Sequence, residues 1–153
     1  ETFEENAFTS NIIQEVNYRS KDSKGNEYII NAETGEIDIN NSDVIYLINV
    51  EAIINLKNSE KIYIQSDYGR YNSKNFDTIF SKNVIIEYLY HEIKGEYLDF
   101  SLQKNMMVIT RNIVYTSFEN ILKADVLEMN IQTKDTIIYM YEEDKKVNIK
   151  SKN

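Results

Sequence analysis

The chain of 153 residues has no cysteine, no proline and no tryptophan, only four glycines and a single histidine. Without cysteine there can be no disulfide, no thiolate nucleophile and no cysteine-ligated zinc, and oxidising and reducing compartments are equally permitted. Four glycines supply neither a glycine-rich phosphate loop nor the Gly-Gly-x-Gly-x-Asp repeat of calcium β-rolls. His91 lies in Tyr90-His91-Glu92-Ile93-Lys94-Gly95-Glu96. A zinc-protease helix would need a second histidine where Gly95 stands, so His91 reads as a turn residue and not a ligand. The longest apolar run, Val44-Ile45-Tyr46-Leu47-Ile48, falls far short of the ~20 residues that cross a bilayer as a helix. Basic residues are also scarce: 17 Lys plus Arg face 25 Asp plus Glu, for a net charge of −8. That balance and the absence of a basic cluster argue against a nucleic-acid partner.

What the chain does have is β-branched and aromatic residues, with 23 Ile, 8 Val, 8 Thr and 12 Tyr. These pack well on a pleated, half-buried surface and lose rotamer freedom in helices, so the expected class is all-β in a single domain. Alternation supports strands: Leu98, Phe100 and Leu102 share a face opposite Asp99 and Ser101, and Leu127, Met129 and Ile131 oppose Glu128 and Asn130. Turns are expected at Ser23–Asn26, Asn40–Asp43, Lys57–Glu60 and Asn72–Asn75. Later breaks are expected at His91-Glu92, Lys104-Asn105, Ser117 to Asn120, Thr133 to Asp135 and Glu142 to Lys146. Only Ile12, Ile13 and Val16 offer an alternative, a single helical turn.

An internal repeat is the most informative feature. A small residue followed by an acid recurs at Ala32-Glu33, Ser66-Asp67, Gly95-Glu96 and Ala124-Asp125, and an asparagine before a β-branched residue recurs at Asn49-Val50, Asn83-Val84 and Asn112-Ile113. From acid to asparagine the separation is 16 residues each time (49−33, 83−67, 112−96). Each unit reads as two strands and two turns, too small to bury its own apolar face and stable only when stacked on its neighbours. In such a stack the small residue lets strands approach at a corner, and the acid binds turn backbone. Asp67 and Glu96 are therefore corner residues before they are a glycosidase pair. No Ser-His-Asp arrangement is indicated, no metal or cofactor is implied, and the tyrosines, spread along the strands, read as core and rim.

Several segments together carry a family resemblance. Tyr18-Arg19-Ser20-Lys21-Asp22 through Gly25 to Ala32 resembles the opening hairpin of the LptC family of periplasmic lipopolysaccharide-transport proteins. Ile62 to Asn72 followed by Asp77 to Ile86 is similar to that family's central block, and Leu122 to Met129 resembles a block shared with the soluble bridge protein LptA. Together these span about residues 11 to 150. The resemblance implies an elongated, slightly twisted open β-jellyroll. It implies no enzymatic activity and no cofactor: the protein would accept lipopolysaccharide from an inner-membrane ABC transporter and pass it to an LptA-like jellyroll. It also implies a periplasmic location and an inner-membrane anchor. The sequence starts at Glu1 rather than Met, so a removed anchor would precede a flexible segment 1–10, with one domain over 11–150 and a tail at 151–153. A soluble LptA-like bridge is the near alternative, and a β-helical enzyme or adhesin acting on polysaccharide the distant one.

Read with the alternation, an acyl-chain trough would be lined by Ile45, Leu47, Val50, Ala52, Ile54, Ile64, Tyr71, Phe80, Val84, Ile86, Phe100, Leu102, Ile109, Ile113, Tyr115, Leu127, Met129 and Tyr139. Such chains gain about 0.8 kcal/mol per CH₂ removed from water and need no specific polar contact. Exposed end strands would serve for strand addition: Ile12, Val16 and Tyr18 at the transporter end, and Ile137, Ile138, Tyr139, Val147 and Ile149 at the LptA-like end.

Overall fold

The computed structural model describes residues 11–141 and the strand 145–149. All regular structure there is β, with no helix: β1 (Ile12–Lys21), β2 (Glu27–Ile37), β3 (Val44–Asn55), β4 (Ile62–Asn72), β5 (Thr78–Tyr88), β6 (His91–Ser101), β7 (Met106–Ser117), β8 (Asn120–Asn130), β9 (Thr136–Met140) and β10 (Lys145–Ile149). They form one antiparallel sheet in strict sequence order, β1 to β10. The segment around Ile12 to Val16 is strand, because its pairing with β2 fixes it in extended form, and the single helical turn is not adopted. Antiparallel register throughout also excludes a parallel β-helix. The break expected at His91-Glu92 falls two residues earlier, at Leu89-Tyr90, because His91 already pairs with Tyr88. The expected segments 1–10 and 151–153, and residues 142–144 of the last break, lie outside the described residues.

Every long strand is broken once, and the break is written in its burial. In β3 the buried residues are Val44, Ile45 and Leu47, then Val50, Ala52 and Ile54; in β6 they are Ile93 and Gly95, then Leu98 and Phe100. In β2, β3, β4, β6 and β8 the period of two absorbs one three-residue step, which flips the phase and keeps both halves facing inward, whereas in β5 and β7 the gap is four residues, Phe80 to Val84 and Ile109 to Ile113. In β3, β5 and β7 the break passes through a left-handed backbone, at Asn49, at Lys82 and Asn83, and at Arg111 and Asn112, a conformation that asparagine tolerates better than other residues bearing a Cβ. Asn49, Asn83 and Asn112 have φ of 56°, 54° and 53°. The ladder shifts at the same places, between Gln65 and Tyr68, Ser81 and Val84, Lys94 and Tyr97, and Thr110 and Ile113.

These aligned breaks fold the sheet over on itself, and contacts between strands that are not neighbours record it. The hydroxyls of Tyr28 on β2 and Thr78 on β5 lie 2.7 Å apart. The Tyr28 ring is 4.8 Å from that of Phe100 on β6, and Tyr18 on β1 stacks at 5.1 Å on Tyr71 of β4. One face of the sheet thus becomes an interior between two layers, each built from one half of every long strand. The small residues are required at the crease: a Cβ on Gly95 would stand 2.6 Å from Cγ2 of Ile109. Ala32, Ser66 and Ala124 are buried at the equivalent positions.

Candidate functional site

The interior is continuous and almost wholly apolar. Ile54, Phe80, Ile86, Phe100, Ile109, Leu127 and Met129 are completely buried, and Ile45, Leu47, Val50, Ala52, Ile64, Tyr71, Val84, Ile113 and Tyr115 are exposed by 5% or less. The structure therefore brings sixteen of the eighteen trough candidates together on one face. Leu102, just past the end of β6 in the turn to β7, is half-buried and packs against the same cluster. One lies elsewhere. Tyr139 is on the opposite face of β9, because Leu127 pairs with Ile138 and draws Ile138 into the interior at 0% exposure. The trough candidates omit Tyr28, Ile30, Ile62, Ile93 and Met107, as well as Leu98, whose alternation with Phe100 marks a strand face; all are buried in the same interior. The alternation Tyr28-Ile30-Ala32 was the available signal for the first two.

The edge residues also sort differently. Strand order places Ile137, Ile138 and Tyr139 on β9, between β8 and β10, so they are not edge residues; Val147 and Ile149 belong to β10, the last strand. The reason is that β9 and β10 form a further hairpin, which moves the edge one strand outward. At the other end β1 is the outermost described strand. Ile12 is exposed there, but Val16 is buried and Tyr18 is held against Tyr71, so these two face the interior as well as belonging to the edge strand.

Along the outer side of the crease runs a ladder of acid-to-amide hydrogen bonds. Asn83 Nδ2 donates to Asp67 Oδ2 at 2.7 Å and Asn112 Nδ2 donates to Glu96 Oε2 at 2.8 Å; Asn49 Nδ2 donates to Glu33 in the same way. These are the three 16-residue intervals of the repeat. The expected bond from acid to backbone forms only at the fourth unit, where the Tyr141 amide donates to Asp125 Oδ2 at 2.7 Å. At the other three the left-handed asparagine supplies a side-chain donor instead. Asp67 and Glu96 are thus engaged with corner amides.

Opposite the crease the hairpin turns of the two layers meet and form a mouth. The Ser59 hydroxyl, between β3 and β4, donates to the Gln132 carbonyl, between β8 and β9, at 3.3 Å. Beside it Lys134, only 2% exposed, donates through Nζ to Ser59 Oγ and to the Ile131 carbonyl. Burial holds the Lys134 pKa below the usual lysine value, with the nearby Glu60 carboxylate acting in the opposite sense. A depression of about 300 Å³ opens at this mouth, with Leu56 and Leu102 in its wall and Lys24, Asn105 and Gln132 around it. Sequence reasoning missed Lys134 and Ser59, since a lysine and a serine in polar turns carry no periodic signal.

Elsewhere in the interior, burial pushes the Tyr28 and Tyr88 hydroxyls far above the ordinary tyrosine range. His91 stacks on Tyr88 at 4.6 Å and shares a hydrogen bond between Nδ1 and the Tyr115 hydroxyl; burial lowers its pKa. Among the described residues no three His, Asp or Glu side chains group to hold a metal ion, and no helix is long and apolar enough to cross a membrane. The arrangement offers, among the described residues, an apolar interior between two layers, an outermost strand at either end of the sheet and a buried lysine at the mouth. No family model and no curated protein matches the chain.

Proposed function

We propose that this protein is a non-enzymatic carrier of the LptC type: a twisted, open β-jellyroll that takes the acyl chains of lipopolysaccharide between its two layers and passes them on. The observation that supports this most directly is the unbroken apolar face from Val16 on β1 to Ile138 on β9, folded into a trough rather than sealed into a barrel. Acyl chains are recognised by such a surface through burial alone. The trough is filled by its own side chains, so loading requires the layers to part at the mouth while the crease holds. That asymmetry is built in, because the crease is tied by the acid-to-amide ladder and by continuous strands, and the mouth by contacts between turns.

In this reading β1 and β10 leave backbone donors and acceptors for a strand of the next protein: the inner-membrane ABC transporter at the β1 end and an LptA-like jellyroll at the β10 end. The protein would work in the periplasm. Photo-crosslinking tests the carrier role. A benzophenone side chain at Phe100 should form an adduct with lipopolysaccharide that depends on ATP hydrolysis by the transporter, and one at solvent-facing Asp99 should not. Adducts at Asp99 alone would overturn the reading.

A further inference from the structure

We infer that Lys134 is an anion-binding point at the mouth, where it pairs with a phosphate group of the amphiphile whose acyl chains the interior holds; this rests on the carrier reading. The inference starts from two copies of one turn. Asn72 to Thr78 and Asn130 to Thr136 have the same bonding. The Asn amide donates to an aspartate carbonyl five residues on, at 2.9 Å in both, and the Asn carbonyl accepts from residue 76 or 134 at 2.7 and 2.8 Å. The Asn side chain caps the amide two residues on, and the closing threonine hydroxyl donates back to the carbonyl of residue 76 or 134. Residues 76 and 134 share a left-handed backbone, with φ of 68° and 66°.

In the first copy this position holds Phe76, whose ring packs against the core. In the second it holds Lys134, buried to 2% exposure. A lysine is almost never fully buried without an ionic partner, and taking an ammonium out of water is costly unless it is paired. Here both acceptors, Ser59 Oγ and the Ile131 carbonyl, are neutral, and they account for two of its three donors. The nearest acid acting on it, Glu60, is an exposed residue. A turn that accepts an aromatic ring in one copy and an unpaired cation in the other has placed that cation for a purpose other than packing.

The surroundings say what the partner is. Lys134 lies at the lip of an apolar interior, its Ser59 contact joins the two layers, and the adjoining depression has an apolar wall of Leu56 and Leu102, with Lys24 and the oppositely charged Asp22 both on its rim. An anionic group on an amphiphile fits this place: its tail enters between the layers and its phosphate accepts from the remaining donor and from the one now given to Ser59, which loosens the mouth as the chain enters.

Isothermal titration of the whole chain with dodecyl phosphate, dodecyl maltoside and inorganic phosphate, each below any micelle concentration, tests this. Dodecyl phosphate should bind at least tenfold more tightly than dodecyl maltoside. Lys134→Met, whose side chain suits the place Phe76 fills, should abolish the difference, and Lys134→Arg should retain it. Inorganic phosphate alone should give no measurable binding. If both amphiphiles bind alike, or if Lys134→Met keeps the preference, the anion point is wrong and the carrier reading stands. If neither binds, both fail. If inorganic phosphate binds as tightly as dodecyl phosphate, the site serves free anions and the inference is overturned.

Discussion

Two residues carry most of the local logic. At the crease, asparagine does two things at once: it accepts a left-handed backbone, and its amide holds the acid sixteen residues before it. The contributions separate by substitution. Asn83→Gly keeps the backbone freedom and loses only the exposed hydrogen bond to Asp67, about 0.5–1 kcal/mol. Asn83→Ala loses the bond and also forces a Cβ into a conformation costing roughly 1–2 kcal/mol more. Urea unfolding should therefore rank wild type above glycine above alanine; alanine equal to glycine would mean the backbone conformation carries no cost. At the mouth, burial lowers the Lys134 pKa relative to the unfolded chain. Between that lowered value and 10.5 the unfolded state binds more protons than the folded one, so this residue's contribution to stability rises with pH and is lost as pH falls. Glu60, which acts the other way, moderates the effect. Lys134→Met should be at least as stable as wild type at pH 7, and its advantage should shrink as the pH approaches 10; an advantage constant with pH would remove the buried charge from the account.

At the scale of elements, the decisive unit is the broken strand. Each half obeys a period of two, and the three-residue steps 32 to 35, 66 to 69, 95 to 98 and 124 to 127 mark where the chain turns from one layer to the other. This was legible in the sequence as the small-acid pair and the constant 16-residue interval from acid to asparagine, because residues that meet across one hairpin at the crease are separated by the strand halves and the turn between them. The ends of the sheet were not legible. A short strand such as β9 reads the same whether it is an edge or flanked on both sides, and only pairing with β10 settles it. Ile138→Pro should accordingly damage the fold itself and not merely an edge: it removes a ladder donor between β8 and β10 and empties a fully buried position, at a cost of about 3 kcal/mol or more. Thermal unfolding would show this, and a melting temperature like that of wild type would return β9 to the edge.

For the whole molecule, the proposed action is one of opening. The crease is covalently continuous through every strand, whereas the described contacts across the mouth include two that join turns more than seventy residues apart, Ser59 to Gln132 and Lys134 to Ser59. Because the chain has no cysteine, the mouth can be closed chemically without side reactions. A Ser59→Cys, Gln132→Cys double variant joined by a short bis-maleimide should keep its β circular dichroism and lose uptake of a fluorescent fatty-acyl probe, with the unjoined variant retaining uptake. Uptake undiminished by the linker would show that chains enter somewhere else. Composition and periodicity by themselves determined that the regular structure of the described residues is β, which face of most strands is apolar, and where the creases fall, since these follow from side-chain shape and the two-residue repeat. Only the tertiary structure decided that the acids bind asparagine amides, that Ile138 and not Tyr139 turns inward, and that a lysine from a polar turn is buried between two layers. Each of those depends on which distant segment the folded sheet brings opposite, and no local pattern encodes that.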